Sequence, residues 1–205
     1  PEITRAAAVD VNLIQIPINL PWSGFSLGRF EQVMRANPNA LILPRIHFNV
    51  PAYELNKYSG QQMLDQDGQP VDVGLLPSFA SDGFIADCKQ QLDLLVRLIH
   101  NSPYKDRVIG YQLGYVNMGE MFYPDIANNF YDFSEVNRLR FTQWLATRYA
   151  GNIGALNAAW KTSFTDLAEV QPFLRKDAPS DRAWLDFCRW YIDSMSDWSR
   201  FWMQE

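Results

Sequence analysis

The sequence predicts an α/β fold in which parallel strands are joined by flanking helices. Three observations carry this. Segments of period-two apolar and polar alternation take turns along the chain with segments of period three to four. The helix-to-strand returns are short, at about residues 37–40 and 101–107, while the stretches after the second and third strands are long, at about 51–81 and 117–133. The strands also turn polar toward their C-terminal ends. An order β-α-β-α-β-α implies parallel strands and right-handed crossovers. Long loops gathered at C-terminal strand ends mark the face where such folds place their sites.

"VNLIQIPINL" (11–20) is the first predicted strand, with Ile14, Ile16, Ile18 and Leu20 on one face and Gln15, Pro17 and Asn19 on the other. The helix expected next has an N-cap at Ser26, carries Phe30, Val33 and Met34 at helical spacing, and stops at Asn37-Pro38. "ALILPRIHFNVP" (40–51) is the second strand. Ile42, Ile46, Phe48 and Val50 share one face, and Leu43, Arg45, His47 and Asn49 share the other. Pro44 is awkward in mid-strand because it has no N–H for the ladder. An irregular stretch from about 51 to 80 contains the turn signal "DQDGQP". A helix capped at Ser81 or Asp82 follows, with Ile85, Cys88, Leu92, Leu95 and Ile99 as its stripe. The third strand, "VIGYQLGYV" (108–116), places Gln112 and Gly114 on one face and Ile109, Tyr111 and Leu113 on the other. Ser134 opens the next helix, and Gly151 ends it where a positive φ is often required. "IGALNAAW" is a short helix. An amphipathic helix closes the chain, with Trp184, Phe187, Cys188, Tyr191, Met195, Trp198 and Trp202 as its packing stripe.

The totals exclude several classes. Of 205 residues, 47% are hydrophobic and 20% charged, which is enough for a sizeable core. A net charge of −5 without any basic run argues against nucleic acid as a partner. No apolar stretch reaches the length of a membrane span, so no membrane partner is expected. "PEITRAAAVD" has no apolar h-region and no initiator Met, so the expectation is a processed chain or a piece of a longer one. Cys88 and Cys188 read as buried thiols, with a disulfide left open and the compartment unassigned. With His47 and His100 as the sole histidines and no CxxC, neither a metal nor another cofactor is expected. Aromatic residues reach 14%. Such rings serve cores and interfaces, and they also stack on the apolar face of a pyranose.

A doubly wound sheet and a (β/α)8 barrel both accommodate this order. No GxGxxG fingerprint follows a strand, and no P-loop occurs. Inward-facing Gln15, Arg45, His47 and Gln112 suit a barrel, whose interior is reached by strand ends from all sides. The expected fold class is therefore a partial (β/α)8 TIM barrel, with residues 1–205 forming one segment of a barrel domain. Three strands cannot close a barrel of eight. The expected partners are accordingly the remainder of a larger chain or, through exposed edges, further copies in a homo-oligomer.

The chemistry points to one strand end. Glu120 follows the third strand, and Asn117, Arg45, His47 and Asn49 belong to the same polar end. An acid beside a cation and amides suits proton transfer at a polar substrate, with the cation lowering its pKa and burial raising it. Glycoside hydrolysis requires a pair of such carboxyl groups flanking the scissile bond. A strand-end Glu also serves as a helix cap or a salt-bridge partner, and the residues alone leave these readings open.

The stretch "FTQWLATRYAGNIGALNAAWKTSF" (141–164) resembles the segment after the fourth strand in the barrel β-galactosidases of glycoside hydrolase family 42. The likeness rests on Trp144-Leu145, Arg148-Tyr149, Leu156-Asn157, Ala159-Trp160, Thr162 and Phe164. "VIGYQLGYVNMGE" is similar to that family's fourth strand, "VIGWQ" leading into "NE", and "NPNALILPRIHFNVP" to its Arg-bearing strand. The resemblance covers most of residues 10–170. It implies a carbohydrate substrate, no cofactor, and Glu120 as general acid/base of a retaining hydrolase. It further implies that Arg45, His47, Asn49 and Asn117 bind sugar hydroxyls, and that Tyr115 and Phe122, with Trp22 and Tyr53, offer stacking walls. The family places Asn immediately before its Glu, whereas Gly119 precedes Glu120 here and Asn117 stands three residues back. The family's nucleophile, a Glu at the end of strand seven, has no counterpart in these residues. A non-catalytic carbohydrate-binding or structural barrel segment is the alternative.

Overall fold

The alternation along the second strand decides where it lies. The computed structural model describes residues 2–71, 76–114, 123 and 130–205. In it, β1 (Leu13–Asn19), β2 (Leu41–His47) and β3 (Gln112–Gly114) form one sheet in that order, and both pairings are parallel. Ile42 and Ile46 of the central strand are fully buried, and Ile16, Ile18, Leu20, Phe48 and Val50 are buried with them. Each such side chain contributes about 1.5–3 kcal/mol on burial. The observed α/β class, with parallel strands and flanking helices, is the predicted one.

Pro44 sits in this central strand, and the ladder accommodates it. Leu41 N–H bonds the Asn12 carbonyl at 2.8 Å on the β1 side, whereas the Ile42 carbonyl accepts from Ile109 N–H at 3.1 Å on the β3 side. Alternation therefore directs the Pro44 nitrogen toward β3. There, Ile42 pairs with Val108 and Arg45 with Gln112, so three steps along β2 match four along the opposing segment. The extra residue is a bulge opposite the missing donor. It also shifts the phase of the third strand. Val108 and Leu113 pair with the apolar set of β2, while Gln112 and Gly114 pair with Arg45 and His47. The expectation that Ile109 and Tyr111 share the core face with Leu113 is corrected accordingly, since both are exposed.

Two compact units divide the chain, one formed by Pro1–Pro51 and Ala86–Met121, the other by Ala52–Ile85 and Phe122–Glu205. In the first, helix α1 (Glu2–Ala8), for which no pattern was apparent, packs on α2 (Gly28–Ala36), and α2 packs on β1. Phe30 and Val33 of α2 are buried, and Asn37 ends the helix. Its start differs from expectation. Leu27, not Ser26, occupies the cap without a side-chain bond, and Ser26 Oγ accepts the Gly28 N–H at 3.2 Å. Helix α3 (Asp82–His100) buries Cys88, Leu92, Leu95 and Ile99, as its spacing predicts.

The second unit opens with a 3₁₀ helix, Ala52–Tyr58. The "DQDGQP" turn closes on Asp65, whose Oδ1 accepts the N–H groups of Asp67 and Gln69 at 2.8 Å each, with Gly68 at φ +75°. Ser81 Oγ accepts the Phe84 N–H at 3.2 Å and thereby caps α3. Helix α4 (Glu135–Arg148) is capped by Ser134 as predicted, and Gly151 beyond its end adopts φ +69°. Helix α5 (Ile153–Trp160) is capped by Asn152, and α6 (Asp181–Gln204) by Ser180. Asn157 binds the loop that follows, donating to the Phe164 carbonyl at 2.8 Å and accepting from Thr162 Oγ1 and Phe164 N–H. Cys88 and Cys188 are free thiols. Among the described residues no helix is long and apolar enough to cross a membrane.

Asp186, buried at 1% exposure, ties these helices together. It accepts from Arg148 Nε at 2.7 Å, Trp160 Nε1 at 2.9 Å and the Tyr149 hydroxyl, and Arg182 Nε lies 3.4 Å away. Burial raises its pKa, but the bonds from Trp160 and Tyr149 and the charges of Arg148 and Arg182 outweigh it, so the net shift is downward. Asp132 is the converse case. Burial dominates and raises its pKa, while bonds from Ser78, Ser134 and the Leu64 N–H offset only part of that. Both carboxyls start from an ordinary value of 3.8. Asp186 therefore contributes stability that is present above its unfolded value and lost as pH falls through its lower folded value. For Asp132 the sign reverses: ionisation penalises the folded state, and that penalty is complete only above its raised value.

Asp186→Asn is expected to lower the unfolding free energy at neutral pH by roughly 3 kcal/mol, read by urea titration with tryptophan fluorescence. The deficit should shrink as both proteins are titrated below about pH 4. Asp132→Asn keeps an oxygen for the Leu64 and Ser134 N–H groups and is expected to stay within about 1 kcal/mol of the parent chain.

Candidate functional site

The sheet face opposite the buried isoleucines carries the polar residues. Register aligns Pro17, Arg45 and Gln112 in one row and Asn19, His47 and Gly114 in the next. Below them, Gln15 pairs with Leu43, and the Gln15 amide donates to the Gln112 side-chain oxygen on the far strand. At the bottom of the same face, Leu13 and Leu41 are exposed. The face thus runs from apolar at the N-terminal ends of the strands to polar at their C-terminal ends.

The ladder continues one step past the strands: Leu20 N–H bonds the His47 carbonyl and Phe48 N–H the Gly114 carbonyl, both at 3.4 Å. Asn49 stands just beyond and is held from two sides. Trp22 Nε1 donates to its carbonyl at 2.6 Å, and its own amide donates to Asn19 Oδ1 at 3.2 Å. Asn19, whose polarity alone marked it, is thus a positioning partner for Asn49, and Trp22 acts through its N–H at this end. Tyr53 is 60% exposed on the 3₁₀ helix of the second unit.

Arg45, His47 and Asn49 stand on one face at one end of β2, half-buried and bearing hydrogen-bond donors. Among the described residues, no carboxylate lies on this face. Glu120, Asn117, Tyr115 and Phe122 fall in 115–122, outside the described residues. The face as described offers a guanidinium, an imidazole and amides, a set suited to hydroxyl or carbonyl oxygens.

No family profile and no curated protein matches the chain. Solved structures do. The catalytic domain of a β-amylase from Paenibacillus polymyxa is similar at TM-score 0.74 and 17% identity, over 96% of this chain and 56% of that one. A β-galactosidase from the haloarchaeon Halorubrum lacusprofundi is similar at TM-score 0.71 and 17% identity, over 97% of this chain and 31% of that one. An exo-carrageenase of glycoside hydrolase family 42 from Bacteroides ovatus is similar at 0.66 and 18%, over 98% and 27%. The chain thus spans about half of the first and under a third of the other two. At such identities the likeness is one of fold. It shows the fold of part of a (β/α)8 barrel and bears out, at that level, the resemblance read from residues 141–164.

Trp22→Phe removes the donor to the Asn49 carbonyl and is expected to cost about 1 kcal/mol of stability, measured by urea unfolding. Retained stability would mean that the bond does not hold this strand end.

Proposed function

We propose that the chain is part of a retaining, β-galactosidase-like glycoside hydrolase, with Glu120 as general acid/base and residues 1–205 as one segment of its barrel. The observation that carries the reading is the row Asn19, His47 and Gly114. It aligns the polar ends of β1 and β2 with the residue from which the chain enters 115–122. The fold likeness to a β-amylase, β-galactosidases and an exo-carrageenase supports a carbohydrate substrate. Arg45, His47, Asn49 and Asn117 would bind sugar hydroxyls, and Tyr115 and Phe122 would wall the sugar.

In the first step Glu120 donates its proton to the glycosidic oxygen as the nucleophile, a carboxylate supplied from outside these residues, attacks the anomeric carbon. In the second step Glu120 takes a proton from water, which displaces the enzyme carboxylate. Gly119, standing where the resembling family has Asn, favours the second reading, a non-catalytic carbohydrate-binding or structural segment.

In the full-length protein, Glu120→Gln is expected to reduce kcat on a substrate with a poor leaving group by about 10²–10⁴-fold. Unchanged turnover removes the acid/base assignment. The 205-residue chain alone is expected to leave a chromogenic β-galactoside intact, and hydrolysis at an ordinary enzymatic rate would contradict the external nucleophile.

A further inference from the structure

A second set of aromatic residues, none of them on the strand face, lines a groove of about 440 Å³ in the second unit. Its floor is rigid. Phe79 stacks on Tyr123 at 5.2 Å and on Trp198 at 5.0 Å, with interplanar angles of 22° and 18°. The series continues to Tyr191 on one side and Phe84 on the other. Its walls are Trp144 of α4 and Phe201 of α6, both half-buried, so part of each ring faces the groove. The Arg148 guanidinium lies 5.1 Å from the Trp144 ring centroid and helps to hold that ring in place. Around the rings stand Gln143 and Arg140 of α4 and Asp197 of α6.

This combination selects among occupants. Gln143, Arg140 and Asp197 are exposed at the rim, where Arg140 pairs with Asp82 and Asp197 with Arg200, so polar groups with spare donor and acceptor atoms border the rings. A sugar ring has an apolar face for the indole and hydroxyl edges that both donate and accept. The volume lies in the range of small-molecule clefts. We propose that the groove between α4 and α6 binds an oligosaccharide, with Trp144 as the stacking platform and Gln143, Arg140 and Asp197 as hydroxyl partners. The inference rests on the carbohydrate reading above and adds a binding site to it.

Calorimetric titration of the chain with galacto-, cello- and malto-oligosaccharides tests it. At least one series should bind, about tenfold more weakly to Trp144→Ala, with a smaller loss for Gln143→Ala. Gln143 is exposed, so its variant carries the comparison alone if Trp144→Ala does not fold. Binding that survives both groove substitutions and is lost in Arg45→Ala overturns the groove while leaving the carbohydrate reading in place. Failure of all three series to bind the parent chain also overturns the groove. The acid/base reading is then still decided by the turnover of Glu120→Gln in the full-length protein. Uptake of an apolar dye without any sugar binding overturns the proposal as well and marks the groove as a packing face.

Discussion

The register of the central strand governs the candidate site. β2 pairs on both sides, so the burial of Ile42 and Ile46 decides the orientation of every other side chain in it. A slip of one residue would turn Arg45 and His47 into the core and the isoleucines out of it. The polar face is in this sense a consequence of the apolar one. The bulge opposite Pro44 extends that control to the third strand. Without the extra residue, the parity of Val108 would carry Gln112 to the core face. With it, Gln112 and Gly114 join Arg45 and His47. A proline that removes a donor and an added residue that needs none thus solve one geometric problem together.

The second unit has its own constraint in Asp186. Its partners Arg148, Tyr149 and Trp160 are residues on which the resemblance to barrel β-galactosidases rests. Others of that set, Leu145 and Leu156, are fully buried, and Asn157 ties α5 to Thr162 and Phe164. These residues are therefore scaffold. These contacts assign no activity by themselves, since a shared scaffold hosts many.

Strands and long helices were legible because their apolar spacing is what burial requires. Ile14 to Leu20, Ile42 to Val50 and Cys88 to Ile99 show this plainly. The phase shift at the third strand was hidden because a bulge leaves no mark in alternation until its pairing partner is known. Asp186 was missed for a related reason. An acid on a helix with many charges reads as surface, and its four partners lie 4 to 38 residues away in sequence. Ser26 looked like a cap by residue type, yet it accepts from Gly28 two residues on, a local alternative open to any Ser at a turn. The Arg45, His47 and Asn49 grouping was readable because period two alone puts them on one face. That Trp22 and Asn19 hold Asn49 depends on β1 lying beside β2, which no local pattern encodes.

The central claim is that Glu120 is one of two carboxyl groups placed for retaining hydrolysis. The separation between the Glu120 carboxyl and its opposing carboxylate, read from a crystal structure of the full-length protein with sugar bound, tests it most directly. We expect about 5–5.5 Å across the glycosidic oxygen. A separation of about 6.5–9.5 Å, or a Glu120 side chain facing away from the sugar, would contradict it.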